Sequence, residues 1–279
     1  AITGGMAFEA LNHLAEAMHV PVATSLNAKD AILDNNPLSV GVVGTYSRRS
    51  ANQVVAEADL VIFVGTRAGG MTTHFWTNPA KGTPTIQIDI DPLVHGRNYP
   101  TDVSIVGDAR VTLEKMNELN IPVPKERVEW LKQVKEICAS YKKDFKDVYK
   151  SNAYPIRPER IINELSNGMP KNAIIVVDTG HSGMWMGGMF EKRHEGQSYI
   201  RSAGHLGWAF PAALGAKCGA PHRPVVCFMG DLGFWYHMAE VETAVRAGIN
   251  TITIINNNNS GNMATVSYTH QTLQTNREV

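Results

Sequence analysis

The sequence predicts an α/β protein of two Rossmann-like units, each a doubly wound parallel sheet, the second of them truncated. Three observations predict this. Short apolar runs rich in Val and Ile recur along the chain, stretches with three- and four-residue apolar spacing separate them, and most runs stop at Gly, Asp, Asn or Thr. Such alternation selects parallel strands crossed over by helices, and it gathers the strand-end residues on one edge, where open α/β sheets place their ligands.

The elements follow in order. Ile2-Thr3-Gly4-Gly5-Met6 leads onto a helix whose apolar positions are Ala10, Leu11, Leu14, Ala15 and Met18. Residues 21–24, 59–64 and 85–90 read as strands, with a helix over 50–58. Val128, Leu131, Val134, Cys138, Tyr141, Phe145 and Val148 form the stripe of an amphipathic helix whose Lys, Glu and Asp face is solvated. Ser151-Asn152-Ala153-Tyr154-Pro155 breaks it, and a helix over 158–165 opens the second unit. There, residues 173–177 and 224–229 are apolar runs fit for buried strands. Met238, Val241, Ala244 and Val245 predict a helix over 234–247, ended by Gly248 and followed by a strand over 251–255. The last three elements make a right-handed βαβ unit with neighbouring strands. The predicted organisation is a central domain over 1–118, a linker helix over 119–152, the first part of a second domain over 153–264, and a non-native tail over 265–279, which lacks apolar periodicity.

Composition removes several classes of function. With 43% apolar residues the chain can bury a core, and 26 basic residues balance 26 acidic ones without basic runs, so no nucleic-acid partner is expected. No apolar stretch reaches membrane-spanning length and the first residues are not a signal peptide, so no membrane partner is expected either. Cys138, Cys218 and Cys227 lack metal spacing and read as reduced thiols of a cytoplasmic protein.

The chemistry gathers around Gly230-Asp231-Leu232-Gly233 and, one helix and one strand later, Asn256-Asn257-Asn258-Asn259-Ser260-Gly261. Gly-Asp is an ordinary turn after a strand, and an Asn run is an ordinary loop. In register, one βα unit apart, they place a carboxylate at a helix start beside amide oxygens. That is a site for a hard cation carrying a diphosphate.

These residues resemble the signature of thiamine-diphosphate-dependent enzymes, in particular the acetolactate-synthase-like branch. The resemblance implies that Asp231 and Asn258 ligate Mg2+ by side chain and Ser260 by its carbonyl. It implies too that Gly230, Leu232, Gly233 and Asn258 contact the cofactor, with backbone N–H groups of Leu232 and Gly233 meeting the diphosphate. Leu232 departs from the small residue usual after the Asp, and its bulk is expected to press on the diphosphate. Asp178-Thr179-Gly180-His181-Ser182-Gly183 is similar to the segment holding the far end of the diphosphate, with His181 and Ser182 as donors. Ala203-Gly204-His205-Leu206-Gly207 resembles the segment under the bent cofactor, where Leu206 wedges between its rings and the Gly204 carbonyl takes a proton from the amino group.

In the first unit Thr24-Ser25-Leu26, Gly65-Thr66-Arg67, Asp89-Ile90-Asp91-Pro92 and Gly107-Asp108-Ala109 resemble the central domain of the same branch. In several members that domain holds FAD, which here would meet Gly5, Thr24, Leu26, Gly65, Arg67, Asp89, Ile90 and Asp108. Relatives that lack the flavin keep the pattern, so FAD stays open. As an ordinary structure, Gly65-Thr66-Arg67 is a loop and Asp91-Pro92 a helix start.

The resemblance as a whole implies a fragment of a thiamine-diphosphate- and Mg2+-dependent carboligase or lyase acting on 2-oxo acids or related dicarbonyl compounds. The alternatives are a related 2-oxo acid decarboxylase or oxidase, and a nonenzymatic flavin- or nucleotide-binding protein with a decayed second domain. The glutamate that starts the proton relay is expected on the pyrimidine-binding domain of a partner subunit. No catalytic residue is therefore assigned, the chain by itself is expected to be inactive, and a homodimer or homotetramer is the expected assembly.

Overall fold

A computed structural model describes residues 2, 4–119, 121–202 and 204–261. The chain divides into two compact units, one of residues 1–171 with 187–195, the other of residues 172–186 with 196–279. All strand pairs are parallel, as the alternating pattern predicts.

The first unit contains α1 (Phe8–Met18), β1 (Val22–Thr24), β2 (Ser39–Val42), α2 (Arg49–Ala56), β3 (Val61–Val64), β4 (Thr85–Asp89), β5 (Val103–Val106), α3 (Ala109–Asn117), α4 (Lys125–Asp144) and α5 (Pro158–Gly168). Its ladders form two sheets, β1-β2 and β3-β4-β5, where the sequence predicts one. Strands β2 and β5 escape the sequence pattern. The α4 helix stops at Asp144 and buries only Val134 and Tyr141 of the predicted stripe; Val128 is exposed and Val148 falls in a separate 3-10 turn. Helix α5, expected to open the second domain, falls in the first unit, where Ile162 is wholly buried and Ser166 Oγ accepts the Glu191 N–H at 3.0 Å.

Beneath these elements lies a buried ionic group. Asp34 accepts from Lys29 Nζ at 3.3 Å and pairs with Arg48 at 2.8 Å, with all three side chains at most 5% exposed. Arg48 also donates to the carbonyls of Gly188 and Phe190, Tyr141 Oη donates to Gly188, and the Lys192 N–H donates to Asp34 at 2.7 Å. Burial draws Lys29 down to about 8 despite the attraction of Asp34. Burial pushes Asp34 upward, but Arg48, Lys29 and the Lys192 N–H together hold it below the usual carboxylate value.

The second unit contains β6 (Ile174–Val177), the first six residues of α6 (His181–Met189), β7 (Ser198–Arg201), α7 (Ala209–Gly219), β8 (Val225–Gly230), α8 (Asp231–His237), α9 (Glu240–Arg246) and β9 (Ile252–Asn256). The sheet order is β7-β6-β8-β9. Strands β6 and β8 are apolar on both faces and buried throughout apart from Gly230, and α7 covers one face, that of Ile174, Val176, Val225, Cys227 and Met229, with Ala209, Phe210, Ala213 and Leu214. The chain runs outward from β6 to β7 and then returns past β6 to β8, so the topological switch point falls between β6 and β8.

The single helix predicted over 234–247 is two helices. The first starts at Asp231, and at Met238–Ala239 the hydrogen bonding tightens to three-residue steps, from Val241 N to Met238 O and from Glu242 N to Ala239 O. Of the predicted stripe only Ala244 packs on the core; Met238, Val241 and Val245 are exposed.

Candidate functional site

The four strand ends of the second unit open onto one edge. Strand β6 leads through Asp178 into α6, β7 leads through Gly204–Gly207 into α7, β8 leads directly into α8, and β9 leads into the Asn loop. The ladder pairs Gly230 with Asn256, so the first residue of α8, Asp231, and the loop residue Asn257 leave adjacent strands at the same rung. This is the neighbourhood expected of Asp231, Asn258 and Ser260. Asn258 Oδ1 accepts the Ser260 N–H at 3.1 Å, which occupies one of its two lone pairs. Among the described residues no group of three or more His, Cys, Asp or Glu could hold a metal. One carboxylate with amide and carbonyl oxygens is instead a donor set suited to a hard cation that keeps phosphate and water ligands.

The helix starts that flank the switch point carry the anion-binding candidates. Ser182 is buried in the first turn of α6, and its Oγ lies 3.8 Å from where a Cβ on Gly230 would stand, so the two helix openings are neighbours. His181 stacks on Trp185 with ring centroids 5.4 Å apart, which gives its imidazole a packing partner as well as its place at the helix start. Leu232 and Gly233 follow Asp231 in the first turn of α8, where backbone N–H groups have no partner within the helix. Leu232 Cδ2 lies 2.7 Å from the Cβ position of Gly261, so the side chain reaches the end of the Asn loop. A glycine at 261 is what leaves room for it.

Gly204 adopts φ +87° with open space around it, and half-buried Leu206 follows. Gly207, at φ +86°, is tightly enclosed: a Cβ there would lie 2.6 Å from Gly233 O and 2.7 Å from His237 Nδ1. Only glycine satisfies both demands.

Two further residues belong to this edge and have no assigned role in the sequence reading. Asp178 is 1% exposed, accepts the Gly207 N–H at 2.9 and 3.1 Å, and lies 3.4 Å from the Ala209 nitrogen. Burial pushes its carboxyl above the usual value, and the N–H donors and Arg201 offset this only in part. Arg201, at the end of β7, reaches Thr179 Oγ1 at 3.5 Å, while its buried Nε has no hydrogen-bond partner among the described residues. The only sequence signal for Asp178 is a carboxylate closing an all-apolar strand.

In the first unit, Gly65, Asp89, Ile90 and Asp108 follow the carboxyl ends of three adjacent strands, and Arg67 shares the loop of Gly65. Asp89 accepts the Asp91 N–H at 3.0 Å and Asp108 caps α3 through the Val111 N–H at 3.1 Å, while Ile90 is exposed. Thr24 and Leu26 end a separate sheet, and Gly5 lies in the turn before α1. Helices α1 and α3 share one apolar cluster, which reaches Val64 of β3 and Ala28 and Ala31 of the turn after β1.

A parallel sheet whose switch point is flanked by two helix starts, with a hard-oxygen loop on the next strand, defines a phosphate-binding α/β domain. The comparison with known proteins makes the class specific. Residues 2–116 match the thiamine pyrophosphate enzyme central domain, and residues 178–278 match the C-terminal TPP binding domain of thiamine pyrophosphate enzymes. The chain belongs to the thiamine pyrophosphate enzyme family. The second match runs through most of 265–279, read from sequence as non-native, which lies outside the described residues.

Relatives include a probable acetolactate synthase large subunit of Methanococcus aeolicus, 34% identical over 90% of this chain and 44% of the relative. One from Methanocaldococcus jannaschii is 34% identical over 85% of this chain and 41% of the relative. The acetolactate synthase large subunit of Parasynechococcus marenigrum is 30% identical over 90% and 40%. The chain thus spans about two fifths of the length of the curated relatives it matches. No helix of the described residues is long and apolar enough to cross a membrane.

Proposed function

We propose that this chain is the central and cofactor-binding portion of a Mg2+- and thiamine-diphosphate-dependent carboligase or lyase acting on 2-oxo acids or related dicarbonyl compounds. One observation carries the reading: Asp231 opens α8 on the rung where β8 meets β9, so its carboxylate and the oxygens of Asn258 and Ser260 stand on one side of the β6/β8 switch point. The residues present fit the cofactor. Ser182, His181 and the N–H groups of Leu232 and Gly233 would hold the diphosphate, and Gly204 and Leu206 the ring end. When bound, thiamine diphosphate supplies a nucleophilic carbon and an electron sink for bonds made or broken beside a carbonyl. The protein's own share is to hold the cofactor, neutralise its diphosphate and exclude water.

The same reading extends to FAD at the β3-β4-β5 edge of the first unit, to a second copy of the protein that supplies the activating glutamate in a homodimer or homotetramer, and to a cytoplasmic setting. The metal assignment is tested by calorimetric titration of thiamine diphosphate with and without Mg2+. The wild-type chain is expected to bind in a Mg2+-dependent manner and Asp231→Asn to lose that dependence, because it removes the only carboxylate among the three ligands. Undiminished Mg2+-dependent affinity in the variant would overturn the assignment. Flavin absorbance of the same protein with added FAD checks the first unit.

A further inference from the structure

We propose that Asp178 is a positioning residue that sets the ring end of the cofactor cradle, separately from its diphosphate end; this rests on the thiamine diphosphate reading. Three strand ends converge on this one carboxylate. It closes β6, it receives the Gly207 N–H at 2.9 and 3.1 Å with the Ala209 nitrogen at 3.4 Å, and the backbone of α8 rests against it at Gly233, where a methyl group would overlap Oδ2. Gly207 in turn lies against Gly233 O. Carboxylate, turn and helix are therefore stacked with no room for an intervening atom.

Apart from the N–H of its neighbour Thr179, the bonds that Asp178 accepts come from one side. They fix residues 207–209, and through them the open glycine at 204 and Leu206, whereas Ser182 and the first N–H groups of α8 are placed by their own helices. A carboxylate is needed because both oxygens face the Gly207 N–H, Oδ1 lying also near the Ala209 nitrogen and Oδ2 against α8 at Gly233. An amide offers one acceptor oxygen and turns an NH2 group toward a donor or toward Gly233. At 1% exposure this carboxylate is costly to bury, and the charge of Arg201 offsets that cost only in part. A group kept at such cost on a ligand-binding edge is an expected feature of a functional site.

The experiment compares wild type with Asp178→Asn, titrating each with thiamine diphosphate plus Mg2+ and, separately, with inorganic diphosphate plus Mg2+. Loss of a charged hydrogen bond predicts that thiamine diphosphate weakens about 10- to 100-fold while inorganic diphosphate changes less than about 3-fold. Unchanged affinity for thiamine diphosphate, or equal weakening of both ligands, overturns the inference. Amide hydrogen exchange gives a second readout that needs no ligand: Gly207 and Ala209 should exchange faster in the variant while Ile174–Val177 stay protected. An unchanged Gly207 overturns the inference, and so does loss of protection across the strand. If wild type binds neither ligand, the thiamine diphosphate reading itself fails, and the inference built on it falls with it.

Discussion

The two units bury charge in opposite ways. In the first, Lys29, Asp34 and Arg48 turn on one another, and the carbonyls of Gly188 and Phe190 complete the guanidinium's bonds. In the second, Asp178 is as deeply buried but is held by backbone N–H groups at the end of a strand. The first arrangement consumes its charges within the fold. The second, on the reading proposed above, uses a charge to shape the cofactor edge. Burial alone does not separate structural from functional carboxylates; the identity of the partners does.

The sharpest way to break this comparison is Asp34→Ala. It leaves two cations without their carboxylate at positions at most 5% exposed, and removing one partner of a buried ionic group costs roughly 3–5 kcal/mol. Urea unfolding should show that loss; less than about 1 kcal/mol would mean that Lys29 and Arg48 are satisfied without Asp34. A smaller effect is expected in the second unit from Gly233→Ala, whose methyl group would overlap Asp178 Oδ2. Overpacking of this kind costs about 1–3 kcal/mol. Combined with Asp178→Ala the penalty should shrink, and a double-mutant cycle reads the difference; strict additivity would show that the two do not touch.

The third effect is a slope. Lys29 sits at about 8 in the folded chain against 10.5 for the free side chain, so between those values the unfolded chain binds more protons. Its contribution to stability therefore rises as pH climbs through that window and is lost as pH falls to 8. Lys29→Met should flatten stability between pH 8 and 10.5, and unfolding midpoints across that range test it. An unchanged slope would place the titration elsewhere.

Much of the second unit was legible because its central strands are apolar on both faces. The runs at 173–177 and 224–229 appear in the structure as β6 and β8. The edge strand β9 was legible as the run over 251–255, whereas β7 and β5 were not. In β7 Tyr199 is buried but Ile200 is 37% exposed, and β5 exposes Val103 and Val106, so neither carries a clean pattern. In the site, Asp231 and the Asn loop stood out because turn chemistry is local. Asp178 did not, since its donors at 207 and 209 lie about thirty residues away in sequence. Lys29, Asp34 and Arg48 were invisible for the same reason: unperiodic charges read as solvated until the chain closes over them.

The pairing of Gly230 with Asn256 has a consequence for how such sites can be recognised and altered. The ladder sets Asp231 and the start of the Asn loop one strand apart, whatever number of residues lies between. Length can therefore be added or removed in the α8–α9 connection without disturbing the proposed cation ligands, provided the strands close on the same rung. A one-residue slip of β9 against β8, with no change of composition at all, would turn its side chains to the opposite face and separate them. What positions the two loops is a register, and a search for distant relatives should count rungs rather than residues.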